Sequence, residues 1–306
     1  MRAVVALGGN AILPHGRRGT IQDQRATMAF AATILAGIAG RGVELVLTHG
    51  NGPQVGALLL QNIAAQRRTP PMPLDVLGAE SQAEIGYLLQ QALGAAMAPK
   101  TVVTVVTQTV VDPDDPAFEN PSKPVGPSML TPAARALQAQ GIPVGRDEFR
   151  GGWRRVVPSP RPIRLVEDDA IRALLGAGVV PIAAGGGGVP VVPDGNGGWR
   201  GVEGVVDKDL TAAVLCRAVD AETLLILTDV EHVVVDRGTQ RERSVGRLPV
   251  AEAKERVASG EFPSGSMGPK VEAAIQAVQE GRRAIITSLE SAADGLEGAA
   301  GTHLIP

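Results

Sequence analysis

Short apolar runs that end at glycine-rich turns are the feature that most constrains the fold of this 306-residue chain. Runs at 2–7, 43–48 and 179–184 are followed by Gly8-Gly9-Asn10, Gly50-Asn51-Gly52 and Gly185-Gly186-Gly187-Gly188. Continuous apolar runs are typical of parallel strands buried on both faces. Helical patterns separate the runs, and this alternation predicts an α/β fold with a mostly parallel sheet and helices on both sides.

The same reading assigns the other elements along the chain. Helices are predicted at 22–40, 54–66, 81–97, 167–175, 209–219, 249–258 and 267–280. Further strands are predicted at 101–106, 224–228, 283–287 and 302–305, the last two closing the sheet. Asp194-Gly195 indicates a hairpin turn within 189–206. Neither a repeat nor a low-complexity segment interrupts this order.

The glycine turns predict a binding edge. In a parallel sheet, the strand ends that feed helices collect at one edge, where ligands bind. Glycine lets the backbone approach an anion closely, and a helix N-terminus offers it free N–H groups. Any one glycine pair is accounted for by a tight turn, but several at strand ends favour an anion site. The turn Asp207-Lys208-Asp209, where Asp207 is a candidate helix cap, is expected at the same edge.

The alternation of predicted strands and helices is interrupted at residues 112–162. This stretch is rich in proline and carries weak hairpin and helix signals of its own. Its length favours a protruding subdomain, with an extended linker as the alternative.

Composition excludes several classes of protein. The formal net charge is -3, so a broad nucleic-acid-binding surface is not indicated. A single Cys excludes a disulfide framework and a cysteine-based zinc cluster. The longest uncharged stretch, 173–193, is rich in Gly and Pro, which argues against a membrane span. We therefore expect a cytoplasmic protein with no membrane or nucleic-acid partner.

Lysine is scarce, with five residues against 24 Arg. Positions that keep Lys are therefore enriched for sites that need a compact ammonium instead of a planar guanidinium. Lys208 lies at the predicted binding edge. Lys270 lies in the first turn of a predicted helix for which Ser266 is a candidate N-cap, and an anion nearby would offset its unfavourable position there. A solvated surface position remains the alternative for Lys270.

Familiar nucleotide motifs are absent, since the chain has neither a Gly-Lys P-loop nor a GxGxxG fingerprint. The four His are scattered at 15, 49, 232 and 303, and structural roles are favoured for all of them. The chain nevertheless resembles carbamate kinases, within the amino acid kinase superfamily. The segments that carry the resemblance are 4–11, 48–56, 81–82, 85–87, 111–113, 123–127, 152–160, 206–209 and 265–275.

The resemblance implies an open, mostly parallel αβα sandwich and a specific reaction. That reaction is reversible phosphoryl transfer between ATP and carbamate, giving ADP and carbamoyl phosphate and often run towards ATP. Four residues match the catalytic positions of the family: Lys123, Lys208, Asp209 and Lys270. Six would hold carbamate and the transferred phosphoryl group: Gly8, Gly9, Asn10, Gly50, Asn51 and Gly52.

The resemblance also implies the organisation around the site. Lys123 would belong to a lid formed by 112–162, within an N-terminal lobe of about 1–220 that binds carbamate. The C-terminal lobe, about 221–306, would bind the nucleotide near Thr228, Asp229, Val230, Met267 and Lys270. Mg²⁺ would arrive with ATP or ADP, with no dedicated metal ligands in the protein. The family further implies a homodimer and a place in arginine metabolism.

Two alternatives remain at this point. One is another acyl-phosphate-forming kinase of the superfamily that acts on an amino acid. The other is a catalytically inactive nucleotide-binding sensor, against which the retained Lys123, Lys208, Asp209 and Lys270 argue.

Overall fold

The chain forms a central sheet with helices on both faces, described in a computed structural model for residues 1–9, 19–146, 151–263 and 265–306. The strands are β1 Arg2–Leu7, β2 Glu44–His49, β3 Val102–Thr104, β4 Gln108–Val111, β5 Lys123–Met129, β6 Val144–Arg146, β7 Trp153–Val157, β8 Pro162–Leu165, β9 Val180–Ile182, β10 Val189–Pro193, β11 Trp199–Gly201, β12 Thr223–Thr228, β13 Val233–Val235, β14 Arg243–Val245, β15 Arg247–Pro249, β16 Arg283–Ser288 and β17 Thr302–Ile305. The α-helices are Ile21–Gly40, Gly52–Ala65, Leu74–Ala96, Thr131–Ala139, Asp168–Gly176, Lys208–Ala218, Val250–Ala258, Met267–Gln279 and Ala292–Glu297.

The main sheet has eight strands in the order β15-β17-β16-β12-β1-β2-β9-β3. β1 lies between β12 and β2, and all three run parallel. β17 is antiparallel to β16. The carboxyl ends of β12, β1 and β2 therefore lie side by side at one edge.

Alternate residues of β1 enter two separate apolar clusters. Val4 and Ala6 pack in a cluster with the helices Lys208–Ala218 and Met267–Gln279. Val5 and Leu7 pack in the other cluster, with the helices Ile21–Gly40 and Leu74–Ala96. Side chains alternate between the faces of a strand, so continuous apolar sequence fills both layers. This arrangement confirms the predicted αβα sandwich.

A second sheet, not expected from the sequence, has four strands in the order β11-β10-β4-β8. The predicted hairpin at Asp194 is confirmed, since β10 and β11 are antiparallel and Asp194 Oδ1 accepts a hydrogen bond from the Gly198 amide at 2.9 Å. The expected strand at 101–106 is too long, because β3 ends at Thr104. The Thr107 backbone amide donates to Gln82 Oε1 at 2.9 Å, and Gln82 Nε2 donates to the Thr107 carbonyl at 3.1 Å. Thr107 lies where the chain passes from the main sheet to the second.

Two further expectations need correction. The helix predicted from residue 81 begins at Leu74, where a distant carboxylate, that of Glu203, accepts a hydrogen bond from the Leu74 amide at 2.9 Å. The strand at 302–305 was expected at the edge of the sheet, but β15 pairs with it and is the edge strand instead.

Residues 112–162, called the insert below, contribute a separate three-stranded sheet in the order β5-β7-β6. Val125 and Val157 of this sheet pack against Val55, Leu59 and Leu77 of the helices that follow β2. The insert therefore rests on the sandwich on the side of the glycine turn at Gly50. Within the described ranges, no helix is both long and apolar enough to cross a membrane.

Candidate active site

Two predicted glycine turns meet at the carboxyl ends of β1 and β2. The Gly8 amide donates to the carbonyl of Leu227 at 2.9 Å, and the Gly50 amide donates to that of Leu7 at 3.0 Å. A Cβ on Gly8 would lie 2.6 Å from the Leu227 oxygen, so only glycine fits there. A Cβ on Gly50 would lie 3.4 Å from the Gly9 amide nitrogen and 3.5 Å from the Lys208 side chain. The structure thus brings Gly8, Gly9, Gly50 and Lys208 together.

Asn51 and the four-glycine turn also meet at this edge. Asn51 Nδ2 of the side-chain amide donates to Ser81 Oγ at 2.8 Å. A Cβ on Gly186 would lie 2.1 Å from the same Nδ2. Gly52 begins the helix that follows. Asn10, predicted for the same site, lies outside the residues that the structure describes. Ser81 was missed as part of the site, because only the fold reveals that it fixes the Asn51 amide.

Two lysines share one buried aspartate at the centre of the edge. Asp209, 3% exposed, accepts from Lys270 Nζ at 3.0 Å through Oδ2 and from Lys208 Nζ through Oδ1. The two lysines come from different helices, Lys208–Ala218 and Met267–Gln279, which are joined here through one carboxylate. Their ammonium groups are therefore fixed side by side.

The electrostatics of this cluster keep it charged. Burial opposes the charge of Asp209, but Lys208 and Lys270 outweigh it and hold the pKa of that carboxyl well below its usual range. Burial lowers the pKa of Lys208, with Asp209 opposing this effect. Burial also acts against the charge of Lys270, but Asp209 prevails and raises its pKa. The result is a fixed pair of cations with one anion between them.

The third lysine reaches the cluster from the insert. Lys123 Nζ lies 2.6 Å from Asp207 Oδ2, while Asp207 Oδ1 accepts the Asp209 amide at 2.9 Å. The second contact confirms Asp207 as the cap of the helix Lys208–Ala218. The expected cap at Ser266 is wrong, because the Ser266 side chain caps nothing and its carbonyl instead accepts from Lys270 Nζ at 3.4 Å.

The residues predicted to contact the nucleotide lie at the end of β12 and at the start of the helix that carries Lys270. Thr228 ends β12 and donates to Asp229 Oδ1 at 3.1 Å. Asp229 favours the charged form of Lys270, so it lies within electrostatic reach. Val230 is exposed, and Met267 begins the helix of Lys270 and packs partly against the core. Of these residues, Asp229 is therefore linked to the lysine pair directly, and Met267 through the helix that it shares with Lys270.

This arrangement suits a group with several anionic oxygens. Positive charge, glycine turns and helix N-termini converge on one edge, and charge developing during phosphoryl transfer is stabilised by such groups. The neighbouring His49 is a poor candidate for a general base. It is 1% exposed, and its Nδ1 lies 3.1 Å from the Gly50 carbonyl.

Comparisons with known proteins find relatives that match almost the whole chain. A sequence model described as the amino acid kinase family matches residues 1–288. A carbamate kinase of Pyrococcus horikoshii is 46% identical, covering 100% of this chain and 99% of its own. One of Halobacterium salinarum is 50% identical, covering 99% of this chain and 98% of its own. The structure of a Giardia lamblia carbamate kinase bound to AMP-PNP is 43% identical, with a TM-score of 0.91 and coverage of 99% and 98%.

Buried His49 makes stability depend on pH. Burial lowers its pKa from 6.5 to about 4, so between these values the unfolded chain binds a proton that the folded chain does not. Stability contributed by neutral His49 is full above pH 6.5 and is lost as the pH falls towards 4. We expect wild type to lose about 3 kcal/mol more than His49→Gln between pH 7 and 4. Urea unfolding of both proteins at each pH measures this, and equal losses would contradict the assignment.

Proposed function

The chain belongs to the amino acid kinase family, and we propose that it is a carbamate kinase, an ATP-dependent phosphotransferase with carbamate as acceptor. Full-length identity of 46% and 50% to carbamate kinases is the observation that carries this conclusion. The Lys208–Asp209–Lys270 cluster at the glycine turns supports it on chemical grounds.

In the proposed reaction, an oxygen of carbamate attacks the γ-phosphorus of ATP. A new P–O bond forms, the bond to the β,γ-bridging oxygen breaks, and ADP leaves with the electron pair. Carbamate is already an anion, so no general base has to remove a proton from it. The reverse direction transfers the phosphoryl group of carbamoyl phosphate to ADP, and we assign ATP synthesis as the usual direction.

We assign the residues as follows. Lys208 and Lys270 stabilise the charge on the transferred phosphoryl group, and Asp209 holds the two ammonium groups at a fixed separation. Lys123 adds a third cation from the insert, which acts as a lid and excludes water from the acyl phosphate. Carbamate and the phosphoryl group lie against the turns that contain Gly8, Gly9, Asn10, Gly50, Asn51 and Gly52.

The nucleotide lies in the C-terminal lobe, about 221–306, on the β12 side of Lys270. Thr228, Asp229, Val230 and Met267 line its site in this proposal. The carbamate side belongs to the N-terminal lobe, about 1–220. Phosphoryl transfer then takes place between the lobes, where Lys208 and Lys270 come from opposite sides of this division.

A divalent cation is the expected cofactor of such a kinase, and we propose Mg²⁺. Across the described ranges, no group of three or more His, Cys, Asp and Glu side chains could hold a metal ion. Both Asp209 oxygens are also occupied by lysines. These observations fit a metal held mainly by nucleotide phosphates and water, where it neutralises phosphate charge.

We further propose a cytoplasmic homodimer that acts in arginine metabolism. The resemblance to carbamate kinases supports all three statements. Light scattering coupled to size-exclusion chromatography tests the dimer, for which we expect twice the 31.5 kDa of the single chain. A mass of one chain would contradict it.

The first functional prediction is ATP synthesis. Protein mixed with ADP, Mg²⁺ and carbamoyl phosphate should form ATP well above an enzyme-free control, measured by luciferase. In the forward direction, ADP release should require carbamate, and acetylglutamate, glutamate or aspartate should not replace it. Turnover with one of those acids alone would identify an amino acid kinase instead. No ATP from folded protein would contradict the proposal.

The second prediction concerns the lysine pair. Lys208→Ala and Lys270→Ala should each lower kcat about 100- to 1000-fold, as expected when one strong electrostatic stabiliser is lost. Lys254→Ala is the matched control, because Lys254 is exposed on the helix Val250–Ala258. Steady-state kinetics decide the matter. A lysine-pair variant that keeps more than about a third of the wild-type kcat would remove that lysine from the mechanism.

A further inference from the structure

The ion pair between Lys123 and Asp207 joins the insert to the sandwich at the site itself. The two charged atoms are 2.6 Å apart, and the side chains are 26% and 11% exposed. The residues are 84 positions apart in sequence. A charge-assisted hydrogen bond this short and this sheltered is stronger than a typical surface pair.

The two oxygens of Asp207 have separate partners. Oδ1 caps the helix Lys208–Ala218 through the Asp209 amide, whereas Oδ2 faces Lys123. A cap needs only one acceptor, and Ser or Asn would provide it equally well. The helix dipole favours a negative charge at this end, but capping gives a role to only one oxygen of Asp207.

The negative charge of Asp207 interacts with the lysines around it. Each oxygen of Asp209 already accepts from a lysine, Oδ1 from Lys208 and Oδ2 from Lys270. Asp207 also favours the charged forms of Lys208 and Lys270, so it lies within electrostatic reach of both. Without the Asp207 carboxylate, Lys123 would lose the counterion that it contacts at 2.6 Å.

We propose that Asp207 is a positioning residue for phosphoryl transfer, which holds Lys123 beside Lys208 and Lys270 before the phosphoryl group arrives. The transferred group then takes over the Lys123 hydrogen bond, because its oxygens carry more charge than one carboxylate. Asp207 acts through Lys123 and does not contact the reacting atoms. The inference rests on the proposed function for its catalytic part and on the ion pair alone for its structural part.

A second ion pair between the insert and the sandwich provides a matched control. Arg155 Nη2 lies 3.4 Å from Glu203 Oε2, and Glu203 is 54% exposed. Glu203→Gln removes a carboxylate charge from a contact of the insert, as Asp207→Asn does, but away from the three lysines. The Gln amide oxygen can still accept the Leu74 amide that Glu203 binds at 2.9 Å.

Hydrogen exchange of the ligand-free protein tests the structural part. The Val205 amide donates to the carbonyl of Pro158 in the insert at 2.9 Å, so it loses protection when the insert lifts away. After correction for intrinsic exchange rates, Asp207→Asn should lower protection at Val205 about tenfold, and Glu203→Gln less than about threefold. Equal effects of the two variants, or no effect of Asp207→Asn, would overturn the proposal.

A double-mutant cycle tests the catalytic part. Asp207→Asn should lower kcat/KM about tenfold in wild type but less than about twofold when Lys123 is already Ala. Equal losses in both backgrounds would overturn the proposal, because Asp207 would then act through its helix. Asp207→Ser keeps a cap and replaces Asp207→Asn if that variant does not fold. An inactive wild type would refute the proposed function. The hydrogen-exchange result would still show whether the Lys123–Asp207 pair holds the insert on the sandwich.

Discussion

Concentrated positive charge at one sheet edge is the constraint on which the rest of this structure depends. Lys208 and Lys270 are both largely buried, and both form an ion pair with the Asp209 carboxylate. Buried cations are costly unless they are paired and hydrogen-bonded. Asp209 meets that requirement with its two oxygens, and its own charge is in turn stabilised by the lysines. Two lysines thus share one aspartate at this edge, and both are paired with it.

The sheet topology makes this pairing feasible. β1 lies between β12 and β2, so three strand ends and the turns that follow them share one edge. The absence of a side chain lets the backbone at Gly8 approach Leu227 closely, and it lets Gly50 lie close to Gly9 and Lys208. Gln82 and Ser81 brace this region from a neighbouring helix, through Thr107 and Asn51. The insert then completes the cluster from outside the sandwich.

The sequence predicts the parallel core, but not the features that depend on contacts between distant residues. Continuous apolar strands are a local signal, and they indicated the sandwich correctly. Glycine turns are local signals too, and the binding edge that they indicate stays a prediction. The start of the helix at Leu74 depends on Glu203, and the early end of β3 coincides with Gln82 holding Thr107, so neither has a local signature. Ser266 has the right residue type for a cap, yet its side chain caps nothing. Asp207 was expected as a cap, but its contact with Lys123 could be found only in three dimensions.

A crystal structure of the protein with AMP-PNP decides whether the lysine pair binds the transferred phosphoryl group, because it shows where the γ-phosphate lies. We expect γ-phosphate oxygens within about 3 Å of Nζ of both Lys208 and Lys270, facing the turns at Gly8 and Gly50. A triphosphate bound elsewhere, with both lysines still paired only with Asp209, would contradict it.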